Sequence, residues 1–88
     1  MSTENTLFEF PCEFPLKVMG RHAGEFENHV RQIVARHVDE AEILESKSRP
    51  SNNGNFLSVT VIIQAQSKQQ LDRIYLDLNA SNAVLMTL

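Results

Sequence analysis

The chain is poor in cysteine, in basic charge and in long apolar runs, and each shortage excludes something. Cys12 is the single cysteine among 88 residues, so neither an internal disulfide nor a thiolate metal cage can form, and a reducing cytoplasm is the expected compartment. No run approaches the roughly 20 apolar residues of a membrane span. Met1–Phe10 also lacks the basic start and apolar stretch of a signal peptide. Eight bases against eleven acids leave a net charge of −3, which argues against a dedicated nucleic-acid surface. What remains is one small domain with a modest core, since a chain this short buries only a little over ~60% of the surface it exposes when unfolded.

Patterning along the chain is informative. Residues 1–13 carry Glu4, Glu9 and Glu13 with no base, and set Phe8 and Phe10 among polar neighbours. The echo Phe8-Glu9-Phe10-Pro11 and Cys12-Glu13-Phe14-Pro15 places two prolines four apart, which forbids a helix and favours an extended path. We therefore divide the chain into an extended acidic and aromatic arm, 1–13, and a single domain, 14–88. Leu16 and Val18 alternate with Lys17 and Met19 up to Gly20, the mark of a short strand. Phe26, Val30, Ile33, Val34 and His37 then recur at helical spacing from about Gly24 to Val38, with Glu27 and Arg31 placed for an i,i+4 ion pair.

A weakly patterned strand is expected over Glu42–Arg49, with Leu44, Ser46 and Ser48 on one face and Ile43, Glu45, Lys47 and Arg49 on the other. Pro50-Ser51-Asn52-Asn53-Gly54 is the strongest turn signal, its Asn-Gly pair supplying positive φ angles. Asn55–Gln66 reads as the best strand, burying Leu57, Val59, Val61, Ile63 and Ala65. Ser67-Lys68-Gln69-Gln70 has the capping-box pattern. A second helix follows on Leu71, Ile74, Tyr75 and Leu78, and Ala83–Leu88 closes the chain as an apolar strand.

The order β-α-β-β-α-β with right-handed crossovers gives an α+β, ferredoxin-like fold: a four-stranded, mostly antiparallel sheet with two helices on one face. Topology then brings the Gly20–Gly24 loop, the Pro50–Asn55 hairpin and the Asn79–Asn82 loop to one end. A ligand site is expected there. Gly20, Gly24 and Gly54 let backbone approach, Arg21 and Arg49 pair an anion, and Ser51, Asn53, Asn55 and Ser58 orient it, with His22 beside them. The uncovered sheet face, with Met19, Thr60 and Ile62, and the aromatic arm, with Phe8 and Phe10, are the candidate partner surfaces.

Other chemistries find little support. His22, His29 and Glu25 fall short of a zinc set, so no metal and no cofactor is expected. Cys12 has no nearby base or helix start to lower its pKa. An acylphosphatase-like loop matches loosely through Gly20, Gly24 and Phe26, but Glu27 follows the phenylalanine where the phosphate-binding arginine belongs. An RNA-recognition sheet needs several stacking aromatics; Phe56 stands with Ser58, Thr60 and Met19 instead.

The motifs Phe14-Pro15-Leu16-Lys17-Val18-Met19-Gly20, Arg36-His37, Pro50-Ser51-Asn52-Asn53-Gly54-Asn55-Phe56-Leu57-Ser58-Val59 and Val84-Leu85-Met86-Thr87-Leu88 resemble the YbeD family of small bacterial proteins, from about Leu7 onward. Phe56 stands where relatives often have tyrosine, and Gly24 where a proline often starts the first helix. The resemblance implies a fold similar to ACT-type regulatory domains, which bind amino acids and control metabolic enzymes; it supplies no catalytic residues. The expectation is thus a non-enzymatic regulatory or binding module that senses a small carboxylate or amino acid, or docks on a metabolic enzyme. A pure interaction domain is the alternative, including a homodimer by analogy with ACT-like sheet edges, and an acylphosphatase-like hydrolase is the enzymatic one. No nucleic acid or membrane is expected as a partner.

Overall fold

The computed structural model describes residues 9–21 and 24–88. Its elements run β1 (Cys12–Arg21), α1 (Phe26–Ala35), a 3-10 turn (Glu40–Glu42), β2 (Ile43–Pro50), β3 (Phe56–Ala65), α2 (Lys68–Asn79) and β4 (Val84–Thr87). The sheet has the order β2-β3-β1-β4, with every neighbouring pair antiparallel. This is the ferredoxin-like architecture expected from the pattern of the sequence. No described helix is long and apolar enough to cross a membrane.

The core forms where the helical and strand periodicities meet. Leu16 and Val18 of β1 and Leu57, Val59, Val61, Ile63 and Ala65 of β3 face Val30, Ile33 and Val34 of α1 and Leu71, Ile74 and Leu78 of α2, all buried. Each large aliphatic side chain in this set contributes roughly 1.5–3 kcal/mol by leaving water. Phe10 and Phe14, both half-buried, pack against the same cluster.

Several boundaries differ from the sequence reading for identifiable reasons. β1 starts at Cys12, with Cys12↔Ala65 and Pro15↔Ile62 in register, four residues before the expected start. Pro15 is tolerated in a central strand because β4 pairs only with Val18–Gly20, leaving that stretch of β1 with an unpaired outer edge. Helix α1 ends at Ala35, and Glu27 does not reach Arg31. Its carboxylate accepts a hydrogen bond from Ser46 Oγ at 2.8 Å, which fastens α1 to β2.

The alternation expected in β2 fails at one residue. Ile43 pairs with Ile63 and Glu45 with Ile62, so a bulge at Leu44 resets the phase. Ile43 therefore packs against the core and Ser46 reaches Glu27 of α1, while Glu45, Lys47 and Arg49 keep the open face. One inserted residue reverses which side every later side chain takes. A second bulge, at Leu85, lies between the Met19↔Met86 and Gly20↔Val84 pairs.

The cap of α2 forms as the pattern predicts, Ser67 Oγ accepting from Gln70 N at 3.1 Å. The return bond goes one residue further back than in a standard capping box: Gln70 Oε1 accepts from Gln66 N at 2.8 Å. Gln70 Nε2 also donates to the His37 carbonyl at 2.9 Å, tying the start of α2 to the chain leaving α1.

Candidate functional site

The register places Arg21↔Phe56, Pro50↔Leu57 and Gly20↔Val84 at one end of the sheet, so the three expected loops do gather there. They do not form one site. Arg21 lines a recess of about 320 Å³ with Glu25, Phe26, His29, Ala83 and Leu85. Arg49 lines a different recess, of about 520 Å³, with Lys17, Lys47, Ser58, Thr60 and Leu88. The pairing of one anion by Arg21 and Arg49 together is therefore corrected: Arg21, at the end of β1 opposite Phe56, lines the recess beside Ala83 and Leu85, while Arg49 lines the one shared with Lys17 and Lys47.

The hairpin residues are committed to their own turn. Ser51 Oγ donates to Asn53 Oδ1 at 2.9 Å; the same Asn53 oxygen accepts from Asn55 N at 3.2 Å, and Ser51 Oγ accepts from Phe56 N at 3.1 Å. These bonds use the groups that were to orient a ligand. Gly54, at φ +78°, takes the left-handed conformation, whereas no described non-glycine residue, Asn53 included, has positive φ. The loop is thus longer than a two-residue Asn-Gly hairpin turn.

Gly20 also has a packing role. A side chain there would collide with the ring of Phe26 and come within 2.6 Å of the Ala83 carbonyl oxygen. Gly24 faces open space. His22 and Phe8 lie outside the described residues. His29 Nε2 is hydrogen-bonded to Ser81 Oγ at 2.8 Å, joining α1 to the α2–β4 loop.

The open sheet face brings together what the loops do not. Thr60 of β3 is flanked in register by Lys17 of β1 and Lys47 of β2, and the next row sets Ser58 between Met19 and Arg49. Cross-strand partners share a face, so two cationic flanks border a floor of small hydroxyls about 10 Å wide, two inter-strand spacings. Leu88 closes one side, its backbone N donating to the Lys17 carbonyl at 2.8 Å. Lys47 approaches Glu45 at 4.0 Å, both side chains more than half exposed, a weak contact in water. Among the described residues Lys17 and Arg49 make no ion pair. Three cations with little neutralisation thus stand beside two hydroxyls on one face, the chemical groups that pair with carboxylate or phosphate oxygens.

The sequence sets Lys47 with Arg49 beside the hairpin and Lys17 with Met19, Ser58, Thr60 and Ile62 on the uncovered face, as two separate surfaces. The alternation in β1 and β3 already put Lys17 and Thr60 on the uncovered side. What the alternation cannot supply is the register, which makes Lys17, Thr60 and Lys47 one row.

A second polar cluster lies on the helix layer. Asp77 of α2 meets His37 Nε2 at 3.0 Å and Arg36 Nη1 at 3.3 Å. The hydrogen bond from His37, then the charge and hydrogen bond of Arg36, hold its carboxyl below the usual carboxylate range despite partial desolvation. Cys12 is half-buried, and among the described residues no three metal-ligating side chains converge.

Fold and face together define a small ferredoxin-like domain of ACT-like architecture that offers a polar sheet surface. The family described as "Protein of unknown function (DUF493)" matches residues 5–88, and the chain belongs to that family, which is the one its motifs resemble. It is 43% identical over 82 residues to a UPF0250 protein of Chromobacterium violaceum, covering 93% of this chain and 92% of the relative. It is 42% identical to a UPF0250 protein of Hahella chejuensis, covering 91% and 88%. Among solved structures, protein HP0495 from H. pylori superposes with a TM-score of 0.74 at 15% identity, covering 92% of this chain and 85% of that one. The C-terminal domain of the MgtC protein from Mycobacterium tuberculosis does so at 0.65 and 13% identity, covering 92% and 88%. These two likenesses concern the fold alone.

Proposed function

We propose that this protein is a non-enzymatic regulatory and binding module of the cytoplasm, taking up an anionic group on its open sheet face and coupling that binding to a metabolic enzyme. The observation that carries the reading is the row Lys17–Thr60–Lys47 with Arg49 and Ser58 beside it. The hydroxyls accept or donate as the ligand requires, while the arginine fork and two ammonium groups supply charge. No nucleophile with an adjacent base accompanies them, so the face suits binding more than bond-breaking.

Binding to the native state raises stability by mass action. A carboxylate at a hundred times its Kd adds about 2.7 kcal/mol, on the order of 10–20 °C of Tm for a domain of this size. Thermal unfolding in citrate and in glutamate, at constant ionic strength, tests this. Tm should rise with one of them and the rise should vanish in Arg49→Gln; a Tm indifferent to both removes the anion site.

A further inference from the structure

We propose that the occupant of the open face is an extended acidic segment of another protein, lying along β3 between the two cationic flanks. This rests on the anion-binding reading above and specifies its partner.

Three observations point past a small molecule. The recess is an open strip across three strands, lined by Lys17, Lys47, Arg49, Ser58 and Thr60, whereas small-ligand sites enclose most of their ligand. Its charges are spread: Lys17 and Lys47 stand on strands about 10 Å apart, and Lys47 and Arg49 lie two residues, about 7 Å, apart along β2. That spacing along β2 equals the i,i+2 repeat of an extended chain, so acidic side chains at i and i+2 of a strand laid over β3 meet Lys47 and Arg49, and an intervening acid on its other side meets Lys17. Finally, the cations sit among apolar groups suited to a polypeptide. Met19 and Ile62 are half-buried on the same face, and Met86, paired with Met19, is half exposed.

Charge distribution selects a locally acidic protein over a nucleic acid. On the open face itself Glu45, opposite Ile62, and Glu13, opposite Gln64, follow the basic rows along the strands, so the strip is short and ends at carboxylates. A short acidic segment fits within the strip, while a polyanion with charge along its whole length runs onto those carboxylates. The face also offers a single half-buried aromatic, Phe56, where single-stranded nucleic acid needs a stacking platform.

The probe is a fluorescein-labelled octaglutamate peptide, followed by anisotropy at two salt concentrations, with labelled octauridylate RNA and the citrate and glutamate Tm series alongside. Octaglutamate should bind the full chain, more tightly at the lower salt. The double variant Lys17→Gln/Arg49→Gln, its fold checked by circular dichroism, should bind at least about tenfold more weakly, as for loss of close interfacial charge pairs. Arg73→Gln, on α2, should bind as the parent does. Octauridylate binding more tightly than octaglutamate overturns the proposal in favour of nucleic acid. A Tm response to citrate or glutamate without octaglutamate binding overturns it while leaving the small-anion site standing. No response to any probe removes both, and equal loss in Arg73→Gln reduces the effect to general charge.

Discussion

At the scale of single residues, Gly20 shows how a position chosen for chemistry turns out to serve packing. It looked like a place where backbone approaches a ligand. In the fold it is where the Phe26 ring lies on β1, close to the Ala83 carbonyl. Gly20→Ala should therefore destabilise the protein by about 1–3 kcal/mol, the usual cost of overpacking, seen as a lower urea midpoint with an unchanged slope. Gly24→Ala, where a side chain meets nothing, should leave that midpoint nearly unmoved. Equal effects at the two glycines would mean that the Phe26 contact does not govern β1. Ser51 and Asn53 follow the same logic, since their polar groups close the hairpin around Gly54.

At the scale of elements, the two helices are joined at their surface by polar bonds. Arg36 and His37, just past α1, meet Asp77 on α2, and Gln70 holds the His37 carbonyl. The Asp77 carboxyl has its pKa lowered, first by the His37 hydrogen bond and then by Arg36. A lowered carboxylate pKa means that the unfolded chain binds the proton more readily. The stabilisation is thus complete above the ordinary carboxylate range and is lost as pH falls through the lowered value. Asp77→Asn should have a lower Tm than the parent at pH 7, and the gap should narrow as pH falls below the ordinary carboxylate range. A gap that does not narrow there would assign the effect to the amide itself and not to the charge.

The elements also show why some of the fold was legible and some of the site was not. Strand and helix types follow from local periodicity, and Leu57 to Ala65 or Leu71 to Leu78 announce their buried faces without outside help. The chain order then leads to the topology. The bulge at Leu44 leaves no local mark, because Ile43-Leu44-Glu45 reads equally well in either phase; only pairing with Ile62 and Ile63 decides it. The site depends on the same long-range fact. Arg21 and Arg49 are both near the end of the sheet, but Arg21 ends β1 beside Ala83 and Leu85 while Arg49 lies beside Lys47 across from Lys17, so they line different recesses.

At the scale of the whole molecule, the open sheet face carries a local excess of basic charge. The net charge is −3, yet Lys17, Lys47 and Arg49 share one face while most acids lie on helices and turns. Like charges about 10 Å apart repel across a distance equal to the Debye length at 0.1 M salt; at 0.01 M that length is about 30 Å, and at 1 M about 3 Å. A face held ready for an anion should therefore detract slightly from the stability of the empty protein, as functional sites often do. Lys17→Gln removes one member of the cluster without touching the core. In low salt its Tm should equal or slightly exceed that of the parent, by no more than about 0.5 kcal/mol in stability. That difference should fade in 1 M NaCl, and any citrate-induced rise should be smaller than the parent's. A Tm clearly below the parent's in low salt would show that Lys17 stabilises the fold through a partner of its own, and the cationic row would then be structural instead of waiting for a ligand.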